Sequence, residues 1–238
     1  NGYVNQNGRY ELNTHFNRKL TDKLSTGLYV HGNTRTQKED DNNDGFLDAP
    51  LGKQINVMNR WQYQDAEKGW VSFFNVRFLN DEKQVGQVDF NPDTDKFTTN
   101  AWGSEIDTRR FDTSLKLGYV FPELPFQSLG FQTSYSLHKQ DSYFGFRTYD
   151  INHESLYSNL IFNSIIGDTR NKFKTGITFA YDGYDELVSA TDYSRVDNSV
   201  GAFMEYSYEN LEKVSLTTGL RVDNHNRLGT FVTPSISH

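Results

Sequence analysis

The sequence predicts an all-β chain: an antiparallel transmembrane up-and-down β-barrel, of which these 238 residues hold about ten or eleven strands. Three observations carry that prediction. The connections between hydrophobic, aromatic-rich segments are alternately very short and long, as on the two rims of an outer-membrane barrel. The segments alternate apolar and polar residues, so each offers one greasy face and one polar face. They also run for about nine to twelve residues, enough to cross a bilayer at a tilt, whereas strands of water-soluble β-sandwiches usually run about five or six.

The elements follow in order. The short turn Leu20 to Lys23 leads into the strand Leu24 to His31, and a long connection covers residues 36 to 52. A second short turn, Gln64 to Gly69, lies between aromatic strand ends, and the next long connection covers 81 to 107. Phe111, Thr113, Leu115, Leu117, Tyr119 and Phe121 then alternate with Asp112, Ser114, Lys116, Gly118 and Val120. Beyond the turn Pro122 to Pro125, Leu129, Phe131, Thr133, Tyr135 and Leu137 alternate with Gly130, Gln132, Ser134, Ser136 and His138. The long connection 138 to 153, the turn Gly167 to Asn171, the strand Phe173 to Asp182 and the long connection 183 to 197 continue the series. Val200 to Tyr208, the turn Asn210 to Lys213, and the strand Val214, Leu216, Thr218, Leu220 and Val222 against Ser215, Thr217, Gly219, Arg221 and Asp223 close it.

Composition agrees once a polar inner face is counted. Mean hydropathy is -0.73, and no apolar run reaches the roughly 18 residues of a transmembrane helix; a barrel wall needs only every second residue apolar. Aromatics make up 15% of the chain, and Trp61, Tyr63, Trp70, Tyr119, Phe121, Phe126, Tyr206 and Tyr208 stand near strand ends, where an interfacial girdle belongs. The absence of cysteine excludes disulfides and thiolate metal sites. A net charge of -7 argues against nucleic acid as a partner, because phosphate neutralisation needs clustered Lys and Arg. The chain starts at Asn1 without Met or a signal peptide and ends at His238 within a strand pattern, and an odd number of strands does not close such a barrel. Residues 1–238 are therefore expected to be part of a single barrel domain whose remaining strands lie elsewhere.

One segment has metal-ligand spacing. Asp40, Asn42 and Asp44 offer side-chain oxygens at alternate positions, Gly45 permits a sharp turn, Phe46 offers a carbonyl and Asp48 a further carboxylate, matching the first nine positions of an EF-hand-like calcium loop. The bidentate Glu of such a loop is missing, its place falling at Leu51, and a solvated acidic turn has the same composition. His15 and His31 should both face the lumen, as parts of a polar wall. Ser142 with His138 is the one nucleophile and base that could be proposed for a hydrolase, but no third partner is positioned for it, so the chain is not expected to be an enzyme. The long connections carry Trp102, Tyr143, Phe144, Phe146, Tyr149, Tyr184 and Tyr193, which suit stacking on a small-molecule ligand or packing of the loops together; Trp102, Tyr143, Phe144, Tyr149 and Tyr184 are the candidate ligand contacts.

The passage Gly219-Leu220-Arg221-Val222-Asp223-Asn224-His225-Asn226-Arg227-Leu228-Gly229-Thr230-Phe231-Val232-Thr233-Pro234 resembles the mid-barrel strand-loop-strand of TonB-dependent outer-membrane receptors, where a Gly-Leu-Arg-x-Asp strand end leads into a strand bearing Thr-Pro. Many members have Arg after the proline; here it is Ser235. Asp44-Gly45-Phe46-Leu47-Asp48-Ala49-Pro50 followed by Asn56-Val57-Met58-Asn59-Arg60-Trp61 is similar to an early hairpin of the cobalamin and colicin-receptor-like branch, particularly its Bacteroidetes members. The resemblance implies a barrel of about 22 strands, with this chain as roughly its first half and the N-terminal plug domain and energy-coupling box outside it. It also implies a Gram-negative outer-membrane location and active import of a scarce nutrient, such as a siderophore complex or cobalamin. Capture would occur at extracellular loops, with gating by the plug and energy from a TonB-type complex. For the Asp40, Asn42, Asp44 and Asp48 loop it raises the calcium reading. Two rivals are a passive porin, whose lumen should carry opposed rings of charge where Gln54, Asn56, Ser114, Gln132, Ser134 and Thr217 are neutral, and a calcium-binding soluble β adhesin or lectin module.

Overall fold

The computed structural model describes residues 1–210 and 214–237. Its strands are β1 (Gly2–Val4), β2 (Arg9–Lys19), β3 (Leu24–Arg35), β4 (Leu51–Asp65), β5 (Trp70–Gly86), β6 (Gly103–Val120), β7 (Ser128–Phe144), β8 (Arg147–Ile166), β9 (Asp168–Val188), β10 (Thr191–Asp192), β11 (Arg195–Asn210), β12 (Val214–His225) and β13 (Gly229–Ser237). All join one 13-stranded sheet in which each strand pairs antiparallel with its neighbour in sequence, β10 being a small addition beside β9. The sheet does not close: β1 and β13 are its edges. Among the described residues a single helical turn, α1 (Pro92–Asp95), interrupts the β structure, started by the Asn91 side chain accepting from the Asp93 amide. The expected all-β up-and-down architecture is therefore what the chain forms, and its long strands number eleven among the described residues.

Cross-strand register shows that the alternation is coherent across the sheet, because directly paired residues share a face. Trp61, Phe74, Leu115 and Thr133 form one row, and Leu117, Phe131, Leu160 and Ile177 the next. On the opposite face Lys116 is followed by Gln132, Asn159 and Thr178, then by Gly201 and Asp223. Asn159, Thr178 and Asp223 are buried although the sheet is open, which marks the polar face as the crowded inside of the curve. From Tyr119 to Phe111 the apolar side of β6 spans roughly 27 Å at about 3.4 Å per residue, a little over 20 Å once tilted by about 40°, close to the apolar band of about 25 Å on such walls. The short-turn end of that face gathers several of the strand-end aromatics: Trp70 lies 4.7 Å from Tyr119, Tyr119 5.0 Å from Phe121, and the Tyr206 hydroxyl donates to Asn171 at 2.6 Å.

Strand length departs from expectation. β6 to β9 run 18, 17, 20 and 21 residues, not nine to twelve. The sequence expects long loops over 81 to 107, 138 to 153 and 183 to 197; the structure fills most of these stretches with hairpins, β7 and β8 meeting at a two-residue turn beside Phe144 and Arg147. The reason is that backbone pairing needs no lipid: past the apolar band the ladder continues with polar side chains on both faces. Only residues 36–50 and 87–102 remain long connections. The turns at Leu20 to Lys23, Gln64 to Gly69, Pro122 to Pro125 and Gly167 to Asn171 fall at strand junctions as expected, and Gly69 shows why one of them is glycine: its φ is +73°, and a Cβ there would strike the Val120 carbonyl. The remaining expected turn includes residues 211–213, outside the described residues.

Many charges on the sheet are paired locally. Arg9–Glu11, Lys83–Asp81, Arg110–Asp112, Lys139–Asp141, Arg170–Asp168, Arg195–Asp197 and Arg221–Asp223 all pair two residues apart along one strand, where side chains share a face. At the turn end Lys23 reaches across to Asp65 at 2.8 Å. Asp168 is held by the Arg170 side chain, by the Arg170 amide and by Asn171, and its pKa falls from 3.8 to about 2. A depressed carboxylate stabilises the fold above its unfolded pKa and loses that contribution as pH falls through the folded one. The Gly167 to Asn171 turn is therefore expected to loosen between about pH 4 and 2, read as a fall in the protection factor of the Arg170 amide that Asp168→Asn shows already at neutral pH; a protection factor unchanged across that range would contradict this.

Candidate functional site

The candidate ligand contacts divide between the two faces. Tyr149 and Tyr184 lie on the polar face, as does Phe144, which is exposed beside the β7–β8 turn. Tyr184 is flanked by its two cross-strand neighbours: the His153 ring stacks on it at 4.3 Å and 6° between planes, and the Arg195 guanidinium sits 3.9 Å from the ring centre. His153 is anchored by Asp182 at 2.9 Å and Arg195 by Glu186 at 2.7 Å. Glu186 also accepts from the Tyr149 hydroxyl at 3.2 Å. Burial, with the Glu186 charge, pushes the Tyr149 phenol up, so it stays a donor. These six side chains make a fixed ledge on the inner face near the long-loop end, capable of stacking and of hydrogen bonding an anionic or aromatic guest.

Tyr143 lies elsewhere. It faces the apolar side, is 3% exposed, donates to Glu105 at 2.9 Å, and is covered by Phe97 at 5.3 Å and the Lys96 ammonium at 4.4 Å. Burial first, then the Glu105 carboxylate, pushes its phenol up. Phe90, 2% exposed, fills the space over Gly103 on the same side. The 87–102 connection is thus folded down onto the outside of β5 to β7. Trp102 packs near Phe46 at 6.3 Å and joins the two long connections, which are further tied by the Leu47 amide to the Gly86 carbonyl at 2.9 Å and the Val88 amide to the Gly45 carbonyl at 2.9 Å.

The acidic loop is closed by its own backbone. Asp40 accepts from the Asp44 and Gly45 amides at 3.0 Å each, Asn42 from the Asp44 amide at 3.0 Å, Asp44 from the Phe46 amide at 2.9 Å, and Asp48 from the Asp41 amide at 2.7 Å. Gly45 has φ +82°, the turn its place in the pattern required. Among the described residues no three His, Asp or Glu side chains converge as a metal-binding cluster. As placed, Asp40, Asn42, Asp44 and Asp48 accept hydrogen bonds from the amides of their own turn.

His31 faces the inside, as expected, with Asn13 at 2.6 Å and Asn33 at 3.0 Å on its two nitrogens, while His15 stacks on Tyr29; both are wall residues. The Ser142 hydroxyl donates to the Tyr149 carbonyl at 2.7 Å, so its proton is not directed at His138. His238 lies outside the described residues.

A feature that the sequence pattern missed lies in the resembling passage itself. Arg221 forks onto both oxygens of Asp223, at 2.7 and 2.6 Å, and also donates to Thr178 at 2.8 Å two strands away. It can cross β11 because the intervening residue is Gly201, where any Cβ would run into Asp223, Arg221 and Thr178. The inner face is therefore less neutral than Gln54, Asn56, Ser114, Gln132, Ser134 and Thr217 suggest, with Arg221–Asp223 and Arg110–Asp112 paired on it.

No family model matches the chain, and no curated protein does. Solved structures do. The siderophore receptor PirA from Pseudomonas aeruginosa matches 96% of this chain and 36% of its own, with a TM-score of 0.67 and 15% identity. A point mutant of the ferric enterobactin receptor PfeA from the same organism, in complex with enterobactin, matches 99% and 40%, with a TM-score of 0.72 and 13% identity; a second PfeA mutant gives 99%, 40%, 0.69 and 12%. The chain spans about two-fifths of the length of these receptors, and the resemblance to the cobalamin branch rests on sequence alone. What the likeness establishes is the architecture: an open, antiparallel, up-and-down sheet similar to part of the barrel wall of these receptors.

Proposed function

We propose that the chain is part of the wall of a TonB-dependent outer-membrane receptor that imports a ferric siderophore complex. The observation that carries this reading is the agreement of nearly the whole chain with the wall of a ferric enterobactin receptor, at a TM-score of 0.72 over 99% of its residues. The long-loop end faces outward, the inner ledge of Tyr149, Tyr184 and Arg195 with the exposed Phe144 contributes to ligand contact, Trp102 and Tyr143 hold the folded-back 87–102 connection in place, and a plug supplied by the rest of the protein gates the lumen. The whole barrel would then have about 22 strands. Its chemistry is binding and gating, without bond cleavage, and its partners are outer-membrane lipid and a TonB-type energy-coupling complex.

Uptake of labelled iron as its siderophore complex, by cells carrying the full-length protein, tests this: uptake should stop when the energy-coupling complex is deleted. A passive porin would continue to admit the solute. A chelator arm of the same assay addresses calcium at Asp40, Asn42, Asp44 and Asp48, a separate proposal resting on ligand spacing. If calcium orders that loop, chelation lowers ligand affinity in wild type but not in an Asp44→Ala/Asp48→Ala variant; an affinity indifferent to chelation leaves a self-closed turn.

Orientation has its own measurement. Cysteines at Asp44 and Ser189 should react with a membrane-impermeant reagent on intact cells, and cysteines at Thr21, Glu67, Glu123 or Asp168 should not. The reverse pattern would invert the barrel. Glu212, expected on the same rim, lies outside the described residues.

A further inference from the structure

We propose that the outer face carries, at the long-loop edge of its apolar band, a seat for a phosphorylated lipid held by Arg109 and Lys139. This rests on the membrane reading above. Phe78, Phe111 and Leu137 form one cross-strand row, the last apolar row on these strands, and they line a shallow crease of about 500 Å³. One position further along the same face Arg109 and Lys139 stand directly opposite each other and line the same crease.

Like charges directly opposite on neighbouring strands repel, and among the described residues the conflict is relieved only from a distance, by Glu82 and Asp107 of the next row acting on Arg109. Arg109 makes no hydrogen bond or ion pair among the described residues. Lys139 has a single partner, Asp141 at 3.3 Å, with both side chains half-exposed or more, an arrangement worth little. The two carboxylates that share the crease are held by neutral donors and are not ion-paired to Arg109 or Lys139: Glu154 accepts from the Tyr135 hydroxyl at 2.6 Å, and Asp185 from Ser194 at 3.4 Å and Asn152 at 3.5 Å. A phosphate between the two cations would neutralise both, the guanidinium offering its paired donors to two oxygens.

The surroundings choose a lipid over a soluble anion. Further from the apolar band Glu82, Asp107, Asp141 and Asp150 form a continuous cross-strand row of carboxylates on the same face. A phosphate arriving from solution has to pass that row. A headgroup whose acyl chains lie on Phe78, Phe111 and Leu137 approaches from the membrane side and does not.

The test uses the full-length protein in phosphatidylcholine vesicles doped with phosphatidic acid or with diacylglycerol of the same acyl chains. Lipid retained after detergent extraction is read by native mass spectrometry. Wild type should retain phosphatidic acid in preference to diacylglycerol, and Arg109→Ala/Lys139→Ala should lose about 30-fold of that preference, at about 1 kcal/mol per surface cation. Arg18→Ala, at the other edge of the same face, should lose none, and inorganic phosphate should not displace the lipid. Equal retention by wild type and the double variant, or equal retention of the two lipids, overturns the site; displacement by inorganic phosphate overturns the choice of lipid. Heat-modifiable migration reports insertion separately: a wild type that fails to insert defeats the membrane reading, while insertion without lipid preference defeats this site alone.

Discussion

Replacing Arg221 by alanine is expected to destabilise the assembled barrel by about 3 kcal/mol, the low end of the range for removing one partner of a buried ion pair. Asp223 is 6% exposed, and both its oxygens are taken by Arg221 alone; without the guanidinium it is a buried carboxylate with no donor. The estimate stays at the low end because the Arg221 side chain is itself 40% exposed, so water can partly replace it. Lysine should rescue little, since one ammonium cannot fork onto two oxygens and reach Thr178 as well. The paired change Arg221→Leu with Asp223→Leu should recover most of the loss, because no charge is then stranded. Urea unfolding of the vesicle-inserted protein measures this, and an alanine variant as stable as wild type would show that the pair is solvated in the finished lumen. Gly201→Val should resemble the alanine variant, by closing the path through which Arg221 crosses β11.

The second large effect separates the faces. Arginine at Leu117, Phe131 or Leu216 places a charge in lipid and should cost roughly 2 to 4 kcal/mol near the midplane. Arginine at Gln132 or Thr217, one residue away but on the inner wall, should cost far less. The comparison is internal to each strand, so propensity and expression effects cancel. If both sets are tolerated alike, these strands do not cross a bilayer.

The faces were legible in the sequence because a period of two needs only neighbouring residues to be read. Leu117 and Phe131 fall on one side by parity alone, and register places them opposite each other. Strand ends were not legible, since composition changes at the edge of the apolar band while hydrogen bonding continues past it; β7 runs on through Lys139 and Asp141 to Phe144. Among the loop aromatics, Tyr143 continues the parity of Leu137 and so could have been assigned to the outer side, had the strand been extended that far. Tyr184 between His153 and Arg195 could not have been found, because the three come together through the register of β8, β9 and β11. Arg221 and Asp223 had a local signal, opposite charges two residues apart, inside a passage noted only for its resemblance.

Those intrastrand ion pairs bear on how such a wall is made. In the proposed membrane wall, a strand that carries its counter-charge two residues away would present the bilayer with short dipoles, whether or not its neighbour has arrived. Strands that relied on partners for neutrality would expose bare charges at every intermediate stage, and each would have to wait for the next. Here seven of the pairs are complete within a single strand, so part of the charge is balanced before the next hairpin arrives, while pairs such as Lys53–Glu82 and Lys172–Glu209 wait for a neighbouring strand.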